Sequence, residues 1–457
     1  MRRLETVPTP ISIEESIEKD AAQRNDEVVW FIEMLDRIEG PYCIAIDAPW
    51  GDGKTFFVRT VEHILKAKNP NIEEVAESES LKPVMTKLEG VDCPYLPFYF
   101  NAWENDFADD PITALFACMA SEFQRSEATK IKSTGEAATK IVDVMLSVTP
   151  LGLRISDAAK ALAGRDLVAA YGERLEMRGR IDDLASKGII EVANKLVIFI
   201  DELDRCRPDF SVRLLEQVKA LFQSEKIIVV LSMDSAQLAN AVGGMYGPGF
   251  DTQHFLERFF DQKVTLTHHD PYEFLKGAHY SNTTHNYDIV VQGLLNRTNP
   301  TIRDAMHLVE KIDAGRRYCD LVSGVSRINS FVRCAVIPLL IFLDRADPQA
   351  FREVTGGADY DALYQYGRRC EAFISVLDRY LERCARRFDS DAEGAPPTSE
   401  DRRRDFMRAV CTVLYSQNKG TTEVYQALEK IGGDTLLNPA GLAVCKTLRF
   451  PKECYEM

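Results

Sequence analysis

The sequence APWGDGKT at positions 48–55 follows directly after the apolar run YCIAI at positions 42–46. A strand that leads into a glycine-containing turn ending in Lys-Thr is typical of a loop that binds nucleotide phosphates. The glycines let backbone N–H groups point at phosphate oxygens, while the lysine ammonium suits the phosphates and the threonine hydroxyl suits Mg²⁺. We therefore predict a site for ATP or GTP. Its residues are expected to be Pro49, Trp50, Gly51, Asp52, Gly53, Lys54, Thr55 and Phe56.

One position departs from the usual pattern of such a loop. Ala48 stands where the pattern has its first glycine. The alanine is tolerated if the backbone there has an ordinary angle, but it would strain the turn if a positive φ were required. Two tryptophans, Trp50 in the loop and Trp103 in the segment FNAWEND, either exclude water beside the phosphates or are ordinary core side chains.

Length, charge and cysteine usage limit the class of protein. At 457 residues the chain exceeds one typical core, so we expect two domains or one domain with appendages. The formal net charge of −15 disfavours nonspecific attraction to nucleic acid or anionic membranes. The eleven cysteines form no CxxC pair, so neither a zinc site nor a disulfide framework is predicted. No apolar segment typical of a signal peptide follows the first residues, so a cytoplasmic location is expected.

Apolar strand patterns alternate with helical patterns up to about residue 270. This alternation predicts crossover connections and a parallel sheet with helices on both faces, which is an α/β fold. The pattern from Ile13 to Ile38 predicts a helix, and residues 121–191 are helical in period without a chemical motif. The predicted strands are Tyr42–Asp47, Pro97–Asn101, Lys195–Ile200, Ile227–Leu231 and Val264–Leu266.

Two acidic residues follow directly after the third predicted strand. Asp201, at the carboxyl end of a central parallel strand, is positioned to hold Mg²⁺. Glu202, the next residue, could orient and deprotonate an attacking water. The alternative is a strand that merely ends in acidic residues at the surface.

Three further residues are candidates for the site. Arg205 could pair with Asp204 or reach the nucleotide of a neighbouring subunit. Asp234 follows the next strand and is a candidate for sensing the γ-phosphate. Arg303, at the start of a predicted helix, could project toward the phosphates or lie on a solvated face.

Taken together, the segments APWGDGKTFF, FNAWENDFADDP, LVIFIDELDRCRP, VVLSMD and FLERFF resemble the KAP family of P-loop NTPases, from about Ile13 to about Glu310. The resemblance implies an additional-strand P-loop fold with the sheet order 5-1-4-3-2, a helical lid, and ATP as the nucleotide. Lys54 and Thr55 would correspond to the phosphate and Mg²⁺ residues. Asp201 would correspond to the Mg²⁺ carboxylate, and Glu202 to the second acidic position.

The helical patterns beyond residue 270, together with the resemblance, predict a domain organisation. Residues 1–270 would form the KAP core with a helical insertion at about 121–191, and residues 271–345 would form the lid. Residues 346–457 would form a C-terminal helical region, in which residues 389–401 have the composition of a flexible linker.

Many members of the family carry transmembrane helices between the two nucleotide-binding motifs. In this chain the corresponding segment contains charged residues, and the apolar stretches at 144–153 and 331–343 are too short to span a bilayer. We therefore predict no membrane span and expect the chain to be similar to the soluble bacterial members, which are commonly found in anti-phage defence.

These patterns predict an ATPase that acts as a conformational switch or assembly module through self-association or a protein effector. A weakly hydrolysing scaffold that recruits an effector is an alternative. An ATPase stimulated by nucleic acid is another, because arginines cluster at 368–387 and 402–404, although a net-acidic chain does not favour it.

Overall fold

The computed structural model describes residues 8–20, 23–72, 78–92, 94–124, 167–189, 192–267, 286–321, 330–384 and 399–416, and single residues at 272, 422, 426 and 427. The chain divides into two compact units, Glu5–His268 and His269–Met457, which we term the N-terminal and C-terminal units. Most of the predicted helical insertion, the stretch at 144–153 and nearly all of the predicted linker lie outside the described residues. The predicted division into core, insertion, lid and C-terminal region stays a prediction.

The N-terminal unit is built on a five-stranded sheet in the order β2-β3-β4-β1-β5. Every neighbouring pair of strands is parallel. Read from the other edge, this is the order 5-1-4-3-2, so the predicted additional-strand topology is confirmed. The strands are β1 (Tyr42–Asp47), β2 (Tyr95–Asn101), β3 (Lys195–Asp201), β4 (Ile227–Met233) and β5 (Gln262–Thr265).

Strand composition explains why this sheet lies in the interior. All seven residues of β4 are buried, as expected for a central parallel strand that is covered on both faces. Side chains alternate between the faces, so Val197 and Phe199 of β3 pack on one side while Leu196 and Ile198 pack on the other. The sheet therefore separates two hydrophobic cores.

Helices cover both cores of the N-terminal unit. Helices α1 to α4 contribute buried side chains on the Val197 face, and α5 to α9 contribute those on the opposite face. Asp110 accepts a hydrogen bond from the backbone N–H of Thr113, as expected for a residue that caps α5. The helices are α1 (Pro10–Lys19), α2 (Asn25–Arg37), α3 (Lys54–Lys68), α4 (Lys82–Met85), α5 (Pro111–Gln124), α6 (Leu167–Asp183), α7 (Pro208–Leu221), α8 (Ser235–Tyr246) and α9 (Thr252–Leu256).

The single helix predicted from Ile13 to Ile38 is wrong, because the structure has α1 and α2 with a corner between them. Asp20 ends α1 in a left-handed conformation, with φ 44°. Its carboxylate accepts a hydrogen bond from the backbone N–H of Asn25, and the Asn25 side chain donates to the Ile17 carbonyl. The buried apolar residues of α1 and α2 have the same helical spacing, so the sequence pattern alone did not show that the helix is interrupted.

The described part of the C-terminal unit is helical and has one hydrophobic core, to which residues from Tyr272 to Ala427 contribute. The stretch at 331–343 is buried in that core. No described helix combines the length and the apolar character that crossing a membrane requires. The helices are α10 (Asn286–Thr298), α11 (Ile302–Leu321), α12 (Ile337–Ala346), α13 (Pro348–Gly356), α14 (Asp361–Gly367), α15 (Glu371–Cys384) and α16 (Ser399–Tyr415).

A glycine fixes the entry of the chain into β1. Gly40 donates its backbone N–H to the Glu225 carbonyl at 2.8 Å, just before the registered pair Tyr42 and Ile228. A Cβ at position 40 would lie 2.5 Å from the Ile227 carbonyl oxygen and 2.7 Å from that of Glu225. The alignment of β1 with β4 therefore requires a residue without a side chain.

We expect Gly40→Ala to lower the free energy of unfolding by about 1 to 3 kcal/mol, because backbone atoms cannot move away as a side chain can. Chemical denaturation of the full chain measures it. Gly244→Ala is the matched control, since a Cβ there meets no atom within 4 Å and Gly244 lies inside α8. This control is expected to be neutral or stabilising. Equal stability of the Gly40→Ala variant and the wild type would contradict the requirement for a residue without a side chain at position 40.

Candidate functional site

The phosphate-loop sequence forms a tight turn between β1 and α3. Gly51 and Gly53 have φ of 94° and 78°, the left-handed region in which only glycine is unstrained. The described non-glycine residues with positive φ are Asp20, Gln23, Glu202 and Asn299, so Ala48 has an ordinary backbone angle. The alanine at the first-glycine position therefore causes no strain.

Lys54, the first residue of α3, is a buried cation. Its ammonium donates to the carbonyl oxygens of Ala48 at 2.6 Å and Pro49 at 3.2 Å. Burial lowers the pKa of Lys54, although nearby carboxylates act in the opposite direction. In decreasing order of effect, those carboxylates are Asp204, Asp234, Asp201 and Asp47. The loop thus brings one ammonium group among acids from the ends of three strands.

Asp201 ends β3 and is only 1% exposed. One of its carboxylate oxygens accepts a hydrogen bond from the Tyr99 hydroxyl at 3.0 Å, and the other accepts from the Glu202 backbone N–H at 2.9 Å. Burial and the Asp201 charge raise the pKa of Tyr99, so this hydroxyl stays a donor. The Asp201 carboxylate is therefore held in a fixed orientation.

Glu202 has the left-handed φ of 60° and faces Arg205, with 3.0 Å between the carboxylate and the guanidinium. Burial raises the pKa of Glu202, and Arg205 acts to lower it. Of the two alternatives for Arg205, an ion pair is formed, but its partner is Glu202 and not Asp204. The short 3-10 turn Leu203–Arg205 directs the Arg205 side chain back to Glu202, three residues earlier, while Asp204 bonds elsewhere.

Asp204 connects three loops. The same carboxylate oxygen accepts from the Trp50 indole N–H in the phosphate loop and from the Asp234 backbone N–H after β4, the latter at 3.1 Å. Burial raises the pKa of Asp204, and the Trp50 bond and the Lys54 charge act to lower it. For Asp204 the sequence indicated only a pairing with Arg205, as one alternative. The D-x-x-D spacing placed it near the site, but no sequence signal indicated that its partner is Trp50.

The two polar residues at the end of β4 have different surroundings. Asp234 accepts from the backbone N–H groups of Ala236 and Gln237, so its carboxylate caps α8. Ser232 is paired in register with Asp201, and the strand alternation places both side chains on the same face of the sheet. The buried Ser232 hydroxyl has no hydrogen-bond partner among the described residues.

Asp47, the last residue of β1, joins neighbouring elements beside the site. Its carboxylate accepts from the backbone N–H and the hydroxyl of Ser235, both at 2.8 Å, and lies 2.6 Å from the Lys263 ammonium. Burial would raise the pKa of Asp47, but these bonds hold it below its ordinary value. Asp47 thus stays ionised and holds α8 and β5 at the end of β1.

The remaining predicted residues are distributed as follows. Thr55 lies in the first turn of α3, and Phe56 packs against the core on the α3 face. Asp52 is buried, and its charge favours protonation of Arg24, a buried residue at the corner between α1 and α2 that sequence reasoning missed. Arg303 lies on α11 in the C-terminal unit, outside the unit that contains the phosphate loop.

The sheet order, the glycine turn after β1 and the acidic pair after β3 together define a P-loop NTPase of the additional-strand type. A model of the KAP family P-loop domain matches residues 24–277, more than half of the chain. The chain belongs to this family of nucleotide-binding NTPases. No curated protein matches the chain.

We expect Trp50→Phe to loosen the phosphate loop, because phenylalanine keeps an aromatic ring but cannot donate to Asp204. Losing a hydrogen bond to a charged group at this half-exposed position should increase the exchange rates of the amides at 51–54 about five- to tenfold. Hydrogen exchange followed by mass spectrometry measures this. Trp30→Phe is the control, since Trp30 is 49% exposed on α2 and Trp50 is 45% exposed. Unchanged exchange in Trp50→Phe would contradict a role of Asp204 in holding the loop.

Proposed function

We propose that this chain binds ATP with Mg²⁺ and hydrolyses it, and that the nucleotide state acts as a conformational switch. The observation that carries the proposal is the buried Lys54 ammonium, which donates to the loop carbonyls of Ala48 and Pro49 directly behind a left-handed glycine turn. A buried cation at the start of a helix that follows a glycine turn is suited to binding the phosphates of a nucleotide.

The oxygen donors beside Lys54 fit a magnesium ion. The Thr55 hydroxyl and the Asp201 carboxylate are hard ligands of the kind that Mg²⁺ prefers. Mg²⁺ at such a site commonly takes its other ligands from phosphate and water. When bound, Mg²⁺ would neutralise phosphate charge, and Tyr99 would keep Asp201 oriented toward it.

The chain's own residues would perform the other steps. The Lys54 ammonium would exchange its bonds to the loop carbonyls for phosphate oxygens. Glu202 would orient and deprotonate the attacking water. The buried hydroxyl of Ser232 would donate to the γ-phosphate, a role that suits it better than Asp234, whose carboxylate caps α8. Arg303 is our candidate for a further phosphate contact, whereas Arg205 is already paired with Glu202.

Two substitutions separate binding from hydrolysis. We expect Lys54→Ala to weaken ATP binding about 10- to 100-fold, because it removes a cation that bonds the phosphates. We expect Glu202→Gln to keep the affinity while phosphate release falls about 100-fold or more. Titration calorimetry and a phosphate-release assay measure these effects.

Lys87→Ala is the control for Lys54→Ala, because Lys87 pairs with Asp26 at an exposed position in the same unit. Unaltered affinity in Lys54→Ala would contradict the proposed site. Equal phosphate release in the wild type and Glu202→Gln would contradict hydrolysis by Glu202.

We expect Ser232→Ala to lower kcat about 10- to 100-fold, with a smaller change in ATP affinity, because the hydroxyl would bond the γ-phosphate most strongly as hydrolysis proceeds. Thr60→Ala is the control, since the Thr60 hydroxyl bonds within α3 to the Phe56 carbonyl. A Ser232→Ala variant with wild-type kcat would rule out this role.

One observation favours the alternative of a weakly hydrolysing scaffold. The carboxylate expected to activate water is paired with Arg205. If the chain is such a scaffold, the wild type binds ATP, and its phosphate release is no higher than that of Glu202→Gln. The same two measurements therefore separate the two functions.

The arginines of the C-terminal unit give less support to nucleic-acid binding. Arg403 makes two bonds to Asp378 at 2.6 and 2.7 Å, and Arg404 makes two to Asp361 at 2.7 and 2.6 Å. Arginines 386 and 387 lie outside the described residues. Bidentate pairing holds the guanidinium groups of Arg403 and Arg404 in place, so these two groups are less available to phosphates.

The biological setting is proposed from the family resemblance. We propose that the C-terminal unit transmits the nucleotide state to a protein effector or to further copies of the chain, in a role in anti-phage defence. Comparing phage protection by the wild type and by Lys54→Ala in bacterial cells tests this role, and protection that does not depend on Lys54 would contradict it.

A further inference from the structure

The carboxylate of Glu202 is directed toward the loop that follows β2. Arg205 contacts it at 3.0 Å, and the Arg205 guanidinium lies over the Trp103 ring, 5.5 Å from its centroid. A guanidinium within about 6 Å of an indole centroid is attracted to the ring face. Glu104, next to Trp103, is among the charges that act on Glu202. Glu202, Arg205 and Trp103 thus form a continuous series of contacts.

The acids that act most strongly on Lys54 are different residues. Asp204 has the largest effect, followed by Asp234 and Asp201. Asp204 is bonded to Trp50 of the phosphate loop, whereas Glu202 is bonded to Arg205. The carboxylate of Glu202, which we propose activates water, is thus held near the loop that follows β2. The carboxylate of Asp204 is held at the phosphate loop.

Backbone contacts fix the position of Trp103. The side-chain oxygen of Asn101 accepts from the backbone N–H groups of Trp103 at 3.1 Å and Glu104 at 3.2 Å. The Ala102 N–H donates to the Asp201 carbonyl at 3.0 Å. The backbone of this turn is therefore attached to the end of β3, while the Trp103 side chain is 50% exposed.

We propose that Arg205 and Trp103 are positioning residues that restrain Glu202, and that hydrolysis requires Glu202 to leave Arg205. This inference rests on the proposed function. The side chains of Arg205 and Glu202 are 28% and 15% exposed, so the ion pair is partly screened and can open without a large energetic cost. The exposed Trp103 ring contacts Arg205, so a contact made on this ring would change the restraint on Glu202.

The proposal predicts an increase in activity when the restraint is removed. Arg205→Gln should raise kcat about three- to fivefold, the factor expected for loss of a partly exposed ion pair. Trp103→Ala should raise kcat by a smaller factor, and Trp103→Phe should restore most of the restraint because it keeps an aromatic face. KM should change less than about twofold in all three variants, because none of these side chains belongs to the phosphate loop.

Two matched controls exclude general effects. Arg180→Gln removes another arginine–glutamate pair, Arg180 with Glu176, in the same unit. Trp30→Ala removes a tryptophan with the same exposure, 49% against 50% for Trp103. Both should keep the wild-type kcat.

A double variant tests whether the effect acts through Glu202. In a Glu202→Gln background, Arg205→Gln should produce no increase, because the restrained group is gone. A kcat in Arg205→Gln at or below the wild-type value would overturn the restraint while leaving ATP hydrolysis intact. ATP binding without phosphate release in every variant, including Arg205→Gln, would overturn both the restraint and the proposed hydrolysis.

Discussion

The buried ammonium of Lys54 is the interaction on which the candidate site depends. Burial lowers the pKa of Lys54, and acids from the ends of β1, β3 and β4 act against this loss of water by favouring the charged ammonium. Those acids converge because the three strands are parallel and in register, with Asp201 beside Ser232 and Asp47 beside Met233. The order and register of the strands therefore determine both where the phosphate loop lies and which acids surround Lys54.

Much of this arrangement was predictable, because it depends on local patterns. Each buried strand is a continuous apolar run, and the Gly-x-Gly-Lys-Thr and Asp-Glu segments stand where strands of this kind end. The strand order followed from the resemblance, since no strand pattern states its neighbour. The additional-strand order and the family were then confirmed.

The partners of individual side chains were not predictable. The corner between α1 and α2 depends on the Asp20 carboxylate, and an amphipathic pattern continued through it. Arg205 pairs with Glu202 instead of Asp204 because of the 3-10 turn. Asp204 meets Trp50 from a position 154 residues away in sequence. Spacing within a motif gives the residue types at a site, whereas the partners depend on how loops fold over one another.

Glu202 adopts a left-handed backbone, which costs a residue with a side chain about 1 to 2 kcal/mol and costs glycine almost nothing. Folding stability and the role that we propose for Glu202 therefore favour different residues at this position. Repeated laboratory selection for heat resistance alone would tend to replace this acid with glycine, and the resulting protein would be more robust but would lack the carboxylate that we propose activates water. Under this proposal, thermostability and turnover should be selected together in any engineering of this domain.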